Sequence, residues 1–354
     1  MGLSTAAEKF KKALIWLGIG LAALALIWIL WLLLSFVWKL VFPPPSPDPN
    51  TLFGQISKPF DYNFDPKNII FELDTPGGKL PAETNILPVF VIPLPESKFK
   101  SLDEGKKIAT GGGLDSEPTK LSEFEWRFGS KRQPNKSLKV NIVTKNFAYT
   151  YDWTTDNLSL NGVFKTSDSI MIAKAKSYLG NFLSLKTDLK SGTGRVNYFK
   201  IVGKDVNPVS SYSEANAVRV ELFRDNISYK TKEYPVFEAN HSLSLINLLI
   251  APINLLEVNF TYWNVDFSKI ATYGVKTTDQ AYNDLRRGKA LVADPLIKFE
   301  NITITKTSLG YFNPATSVVR FLQPVFNFEG EGLVNGEKKD FQAYILAVTD
   351  DYIK

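Results

Sequence analysis

An uncharged run of about 26 residues, Ala13 to Trp38, is followed at once by Pro43, Pro44, Pro45, Pro47 and Pro49, and it constrains this chain more than any other feature. As a helix it rises roughly 39 Å at 1.5 Å per residue. That exceeds the roughly 30 Å hydrocarbon core of a bilayer, so the run can span with some tilt. Lys9, Lys11 and Lys12 precede it and only Lys39 follows closely. The positive-inside bias therefore predicts a cytoplasmic N-terminus over 1–12, a transmembrane helix over 13–38, and everything after Phe42 outside. A cleaved signal peptide is the rival reading, but its apolar region is normally about 7 to 15 residues and ends in a small-residue cleavage site. Here Trp28, Trp31 and Trp38 crowd the far end, and no A-x-A-like site precedes the prolines. Trp16, Trp38 and Phe42 fall near the two interfaces as aromatic anchors. Gly18 and Ala22, four apart, form a small-xxx-small pair that lets another helix approach closely.

The remainder is long enough for two or three packed modules. The chain of 354 residues is 44% hydrophobic, 13% aromatic and 22% charged, the balance of a folded domain rather than a disordered one. It contains no cysteine, which removes disulfides, thiol nucleophiles and thiolate metal sites together. A formal charge of +5 with no dense Lys/Arg stripe argues against nucleic-acid binding.

Residues 39–51 read as a stiff proline-rich spacer. A short strand is predicted at Ile69 to Leu73, and after it a helical stretch followed by alternating strands recurs three times. In the first module, 52–160, a strand at Ile86 to Ile92 leads to a helix around Phe99 to Ile108, closed by Gly111, Gly112 and Gly113. Strands follow at Glu123 to Phe128, Lys139 to Thr144 and Phe147 to Trp153, each with period-two alternation. The second module, 161–265, has a helix from Asp168 to Phe182 with Ile170, Ala173, Ala175, Tyr178 and Leu179 on one apolar face. Its strands are Val196 to Val202 and Ala217 to Phe223, and His241 to Leu256 has no decisive periodicity. The third, 266–354, has a helix from Thr278 to Arg287 with Gly288 as its C-cap. Strands then run over Ile297 to Thr305, Val318 to Phe328 and Phe341 to Val348, with a tight turn at Asn335-Gly336. The fold class expected is α+β: a transmembrane helix and an ectodomain of antiparallel sheets, each covered on one face by a helix.

The closing stretch Leu309-Gly310-Tyr311-Phe312, Leu322-Gln323-Pro324-Val325-Phe326 and Phe341 to Val348 resembles the C-terminal end of YycH/YycI-type membrane-anchored regulatory accessory proteins. Thr278, Ala281, Tyr282, Leu285 and Gly288 resemble the helix before that end. Lys106 to Trp153, with Trp126 and Phe147-Ala148-Tyr149, is similar to the helix-plus-strands unit of PepSY-like domains. Similar arrangements occur in uncharacterised single-pass envelope proteins of candidate-phyla bacteria. The resemblance implies a one-helix membrane protein whose outer domain modulates a partner, in the best-known members a sensor histidine kinase contacted partly through the membrane helix. The proline spacer and the third helix-plus-sheet unit depart from that pattern.

Motifs for catalysis are sparse. The single histidine, His241, excludes HExxH zinc chemistry and reads as a surface or capping residue. No G-x-S-x-G elbow, P-loop or dinucleotide-binding glycine pattern occurs. Gly111 to Gly113 reads as a flexible loop. Ser97 and Lys100 give an S-x-x-K spacing, which needs a desolvated, neutral lysine and lacks the S-D-N and K-T-G partners. Glu123 with Glu125 and Asp350 with Asp351 are the carboxylate pairs a glycosidase would need, and they read more simply as solvated faces, the latter as a solubilising tail. Sequons at Asn157, Asn259 and Asn301 are a chance expectation in a chain rich in Asn, Ser and Thr.

Trp126, Trp153 and Trp263 are the candidate recognition aromatics, although aromatics in sheet proteins more often fill the core. The reading is a single-pass envelope protein with no catalytic residues, cofactor or metal, whose outer domain binds and regulates or scaffolds a membrane or envelope protein. A structural subunit of an envelope complex and a carboxylate-dependent hydrolase are the alternatives, and a small-molecule or glycan ligand is left open.

Overall fold

The computed structural model describes residues 3–41, 48–75, 80, 85–156, 160–162, 164, 167–239, 243–316 and 319–354. They form two compact units, one up to Asp48 and one from Pro49. The first is α1 (Leu3–Val41), an unbroken helix of 39 residues. Its stretch Ile19–Phe36 is long and apolar enough to cross a membrane. The described side chains from Trp16 to Phe36 are exposed apart from half-exposed Ser35, whose hydroxyl returns to the Leu32 carbonyl at 2.9 Å and so carries its own partner into an apolar setting. Ala22 is exposed on this helix, and Gly18 lies in it. Val41 stands two residues before Pro43, where helices end because the residue preceding proline disfavours helical geometry. Spacer residues 42–47 lie outside the described residues.

The second unit is α+β, mostly sheet with few helices. In chain order its elements are β1 (Ile70–Leu73), β2 (Ile86–Val91), α2 (Ser101–Gly111), β3 (Thr119–Lys120), β4 (Glu125–Gly129), β5 (Lys136–Asn141), β6 (Phe147–Tyr151), α3 (Asp168–Phe182) and α4 (Thr187–Ser191). Next come β7 (Gly194–Val202), β8 (Asp205–Val209), β9 (Ala217–Leu222), β10 (Ile227–Tyr229), β11 (Lys232–Tyr234), β12 (Val236–Glu238), β13 (Ile246–Ile250), β14 (Leu255–Phe260) and β15 (Asp266–Gly274). The chain finishes with α5 (Thr278–Arg286), β16 (Leu291–Val292), β17 (Asn301–Asn313), β18 (Phe321–Leu322), β19 (Pro324–Val334) and β20 (Glu337–Leu346).

Among the described residues a nine-stranded sheet runs β3-β4-β5-β6-β14-β13-β9-β7-β8, and α2 and α3 pack on it. A six-stranded sheet runs β1-β17-β19-β20-β16 with β12 also on β17, and α5 lies against β20. A three-stranded sheet, β15-β2-β18, and the hairpin β10-β11 complete the set. Two large apolar clusters follow, one under α2 and α3 and one centred on β17, β19 and β20.

Sheet pairing crosses both expected module boundaries. Strands on either side of 160 join in the nine-stranded sheet, because β14 pairs with β6 as well as β13. Strand β2 of the first module pairs with β15 and β18, both beyond residue 265. The sheets are also not purely antiparallel, since β1 and β12 both run parallel to β17.

Local readings differ from the structure where side chains override periodicity. The second strand of the first module is shifted to β5, because the Asn141 side chain accepts the N–H groups of Val143 and Thr144, each at 3.0 Å, and turns the chain there. Helix α3 has the expected bounds and buries Ala175 and Leu179 of the expected face, but Met171 and Phe182 complete that face, while Ile170 and Ala173 are exposed. Gly111 and Gly112 are not a flexible loop but a close crossing. A Cβ at Gly111 would lie 2.0 Å from the Asn181 carbonyl oxygen, and one at Gly112 would lie 2.4 Å from the Phe182 ring. Helix α5 begins in a capping box of Thr277 and Gln280. The unassigned stretch after His241 supplies β13 and β14, while His241 itself and the Asn157 sequon lie outside the described residues.

Asp350 is not part of a solubilising tail. Its carboxylate takes Lys276 and Lys289, each at 2.7 Å, while Lys276 also holds Asp284 of α5 at 2.7 Å, and Ile353 bridges to Ile56. Hydrogen bonds from the two lysines hold the Asp350 carboxyl at about 2, below its ordinary 3.8.

Replacing fully buried Leu179 with alanine is expected to cost about 2–5 kcal/mol in urea unfolding, and Ile170→Ala under about 0.5 kcal/mol. Because the Asp350 pKa is depressed on folding, its contribution is present above about pH 4 and lost as pH falls toward 2. Thermal unfolding of Asp350→Asn over that range should show a shallower acid loss than wild type.

Candidate functional site

A cleft of about 650 Å³ lies where the three-stranded sheet and the β10-β11 hairpin meet α4 and the segments flanking β9 and β14. Each wall has a sequence origin. Strand β9 is buried along nearly its whole length, so the chain leaves the sheet at Phe223 and delivers Arg224 to the rim. The short helix α4 supplies Asp188, and Tyr262 follows β14 directly.

Arg224 is only 6% exposed and fully engaged. Its Nε donates to Asp188 Oδ2 at 2.7 Å, Nη1 to the Trp263 carbonyl at 2.9 Å and Nη2 to Tyr262 Oη at 3.4 Å. The guanidinium lies 4.7 Å from the centre of the Tyr262 ring. Tyr262 donates to Asp188 at 3.0 Å, and the Asp225 N–H donates to the Asp188 backbone carbonyl at 2.8 Å. Burial raises the Tyr262 phenol pKa, with Asp188 adding to the rise and Arg224 opposing it, so the hydroxyl stays protonated. One cation and one anion cancel here, leaving a rigid polar wall of near-zero net charge.

The opposite wall is apolar. Phe90, Ile227, Val265 and Leu322 are buried beneath it, whereas Phe267 is 50% exposed and Ile270 is 40% exposed. Both sit where β15 slips register against β2 between Asp266 and Ile270, a bulge that turns their side chains out of the ladder. An apolar surface with a few fixed polar groups, at a volume within the roughly 300–1,000 Å³ of ligand pockets, suits noncovalent capture. Asp188 has its oxygens occupied by Arg224 and Tyr262, so it is not a free base within the cleft.

The candidates read from sequence lie elsewhere. Trp263 is buried and donates to the Pro314 carbonyl at 2.7 Å. Trp153 donates to the Gly203 carbonyl at 3.1 Å and packs on the nine-stranded sheet's core. Trp126 packs on the same core, with its indole N–H buried and without a partner among the described residues. Ser97 and Lys100 are both exposed before α2, so that lysine lacks the desolvation an acylating pair needs. Glu123 is exposed, and Glu125 pairs with Lys139 at 3.0 Å. Gly18 and Ala22 belong to the other unit. The cleft residues were not legible because Asp188, Arg224 and Tyr262 meet across 36 to 74 residues of chain with no motif spacing.

No protein-family model matches the chain, and no curated protein matches it. Among solved structures, an uncharacterized protein from Eubacterium rectale is similar at a TM-score of 0.43 and 12% identity, over 74% of this chain and 82% of that one. A likeness of that degree bears on neither activity nor partner.

Removing the guanidinium by Arg224→Leu leaves Asp188 without its cation beside a buried phenol. The variant is expected to lose about 3 kcal/mol of stability in urea unfolding. Arg224→Lys should recover only part of this, since an ammonium cannot reach Asp188, Trp263 and Tyr262 together.

Proposed function

We propose that this protein is a membrane-anchored, non-catalytic binding module. In this reading α1 spans the membrane with its N-terminus in the cytoplasm, and the unit from Pro49 lies outside, where its cleft binds a membrane or envelope protein that it regulates or scaffolds. The observation that carries the reading is the cleft wall of exposed Phe267 and Ile270 set against a preorganised Asp188-Arg224-Tyr262 wall. Aromatic and aliphatic anchors of this kind supply most of the energy in protein recognition, and a wall that is already ordered reduces the entropy lost on binding. The length of α1 supports the span, and the lysines before it support the orientation. The resemblance to YycH/YycI-type proteins makes a sensor kinase one such partner.

The test is photo-crosslinking in native membranes with a benzophenone amino acid at Phe267 of the full chain. A single membrane or envelope protein should be captured, its yield falling about tenfold or more with Ile270→Arg. Leu296→Arg, at an exposed position away from the cleft, should leave the yield unchanged. Capture of lipid alone, or a product indifferent to Ile270→Arg, would overturn the reading.

A further inference from the structure

We propose that Glu238 is held as a neutral carboxylic acid hydrogen-bonded to Asn313 at the seam between the nine-stranded and six-stranded sheets, and that loss of its proton loosens this seam.

Glu238 ends β12 opposite Asn313 of β17 and is only 8% exposed. Asn313 Nδ2 lies 3.2 and 3.3 Å from its two carboxyl oxygens. The Leu245 N–H, just before β13 of the nine-stranded sheet, donates to Oε2 at 3.2 Å. One side chain therefore ties a strand of each sheet together.

A second carboxylate stands on the other side of the same dipeptide. Glu221 of β9 is 1% exposed and accepts the Ser244 N–H at 2.8 Å. Glu221 has a counter-ion: Arg195 reaches it through Nε at 3.1 Å and Nη2 at 2.8 Å, and Asn197 donates at 2.7 Å. Glu238 has no ion-pair partner among the described residues. Two buried carboxyls with one bonded cation are most stable with a proton on the unpaired one.

The other charged and titratable groups facing Glu238 are Arg224, which favours its anion, and the Tyr344 phenol of β20, itself kept protonated by burial and by Glu238. Burial is the largest influence and Glu221 adds to it, while Leu245, Asn313 and Arg224 oppose. The balance raises Glu238 to about 7.

An acid needs an acceptor for its proton, and one is at hand. Asn313 Oδ1 is buried without a hydrogen-bond partner. A half-turn of the amide exchanges oxygen and nitrogen at nearly unchanged shape, placing Oδ1 where it accepts the Glu238 O–H. Ionisation reverses the amide and sets an unpaired anion against Glu221 across Ser244 and Leu245. Val236, two residues back on the same face of β12, lines the cleft, so the proton also bears on that wall. The inference stands whether or not the cleft takes a partner.

The test is urea unfolding of the full chain in micelles between about pH 5 and about pH 8. An acid whose pKa is raised by folding gives stability present below its unfolded value of about 4.5 and lost as pH rises through about 7. The wild-type midpoint should fall across this range and Glu238→Gln should flatten the fall, whereas His241→Gln should keep it. A Glu238→Gln variant as pH-dependent as wild type, or a dependence that vanishes only with His241→Gln, would overturn the proposal. If Glu238→Gln does not fold, hydrogen exchange on wild type decides. After correction for intrinsic rates, protection over 243–250 should drop with pH more than over 325–346, and equal changes would overturn it.

Discussion

Arg224 is the interaction on which the geometry of the unit from Pro49 turns. Its guanidinium binds the α4 carboxylate and, on the segment after β14, the Trp263 carbonyl and the Tyr262 phenol, tying two separate pieces of chain to the end of β9. The planar fork fixes all three directions at once, which a point charge cannot do. The charge of Asp188 is what makes burial of the cation tolerable, and the same pairing leaves the cleft wall electrically quiet. The Arg224 field extends to Glu238, where it is one of the influences opposing burial.

Ladder and pin divide the work between them. The antiparallel run β17-β19-β20 satisfies its own backbone groups and buries a continuous apolar face, including Tyr311, Phe326 and Phe328. Such a sheet is insensitive to single contacts. The seams between sheets lack ladders and depend on a few side chains: Tyr311 donating to the Pro88 carbonyl at 3.0 Å, Glu238 with Leu245, and Lys276 with Asp284 and Asp350. Buried polar groups at seams cost free energy unless every bond is made, so they select one arrangement of the sheets over others.

Elements with a strong local period were legible in the sequence. The bounds of α3 are those its composition predicts, Gly288 adopts the left-handed geometry of a helix end, and Asn335-Gly336 forms the expected tight turn with φ of 52° and 80°. The inward face of α3 was legible at Ala175 and Leu179 but not at its start, because Ile170 and Met171 are both apolar and adjacent, and only the packing against α2, β7 and β9 decides between them. Strands β10 to β12 and β15 were missed because they are short or bulged, with mixed burial that gives no clean alternation. The cleft was illegible for a different reason: Asp188, Arg224 and Tyr262, which bond to one another across its wall, come from three distant segments of the sequence. Aromatic count pointed to tryptophans, whereas the half-exposed ring at the cleft is Phe267.

The parallel pairing of β1 with β17 joins Ile70 to Asn301, and near the other end the Gln55 amide reaches the Asp351 carbonyl across 296 residues. Synthesis runs at about 5–20 residues per second, so in a chain made N-terminus first β1 waits roughly ten to fifty seconds for its neighbour. Strand β2, almost wholly buried in the finished fold, spends nearly as long with both edges and its apolar faces open. Closure of the unit from Pro49 thus waits for the late strands β15, β17 and β18 rather than being spread evenly along synthesis. During that interval the nascent chain depends on whatever sequesters unpaired strands, and the rate at which β15, β17 and β18 are made sets how long the exposure lasts.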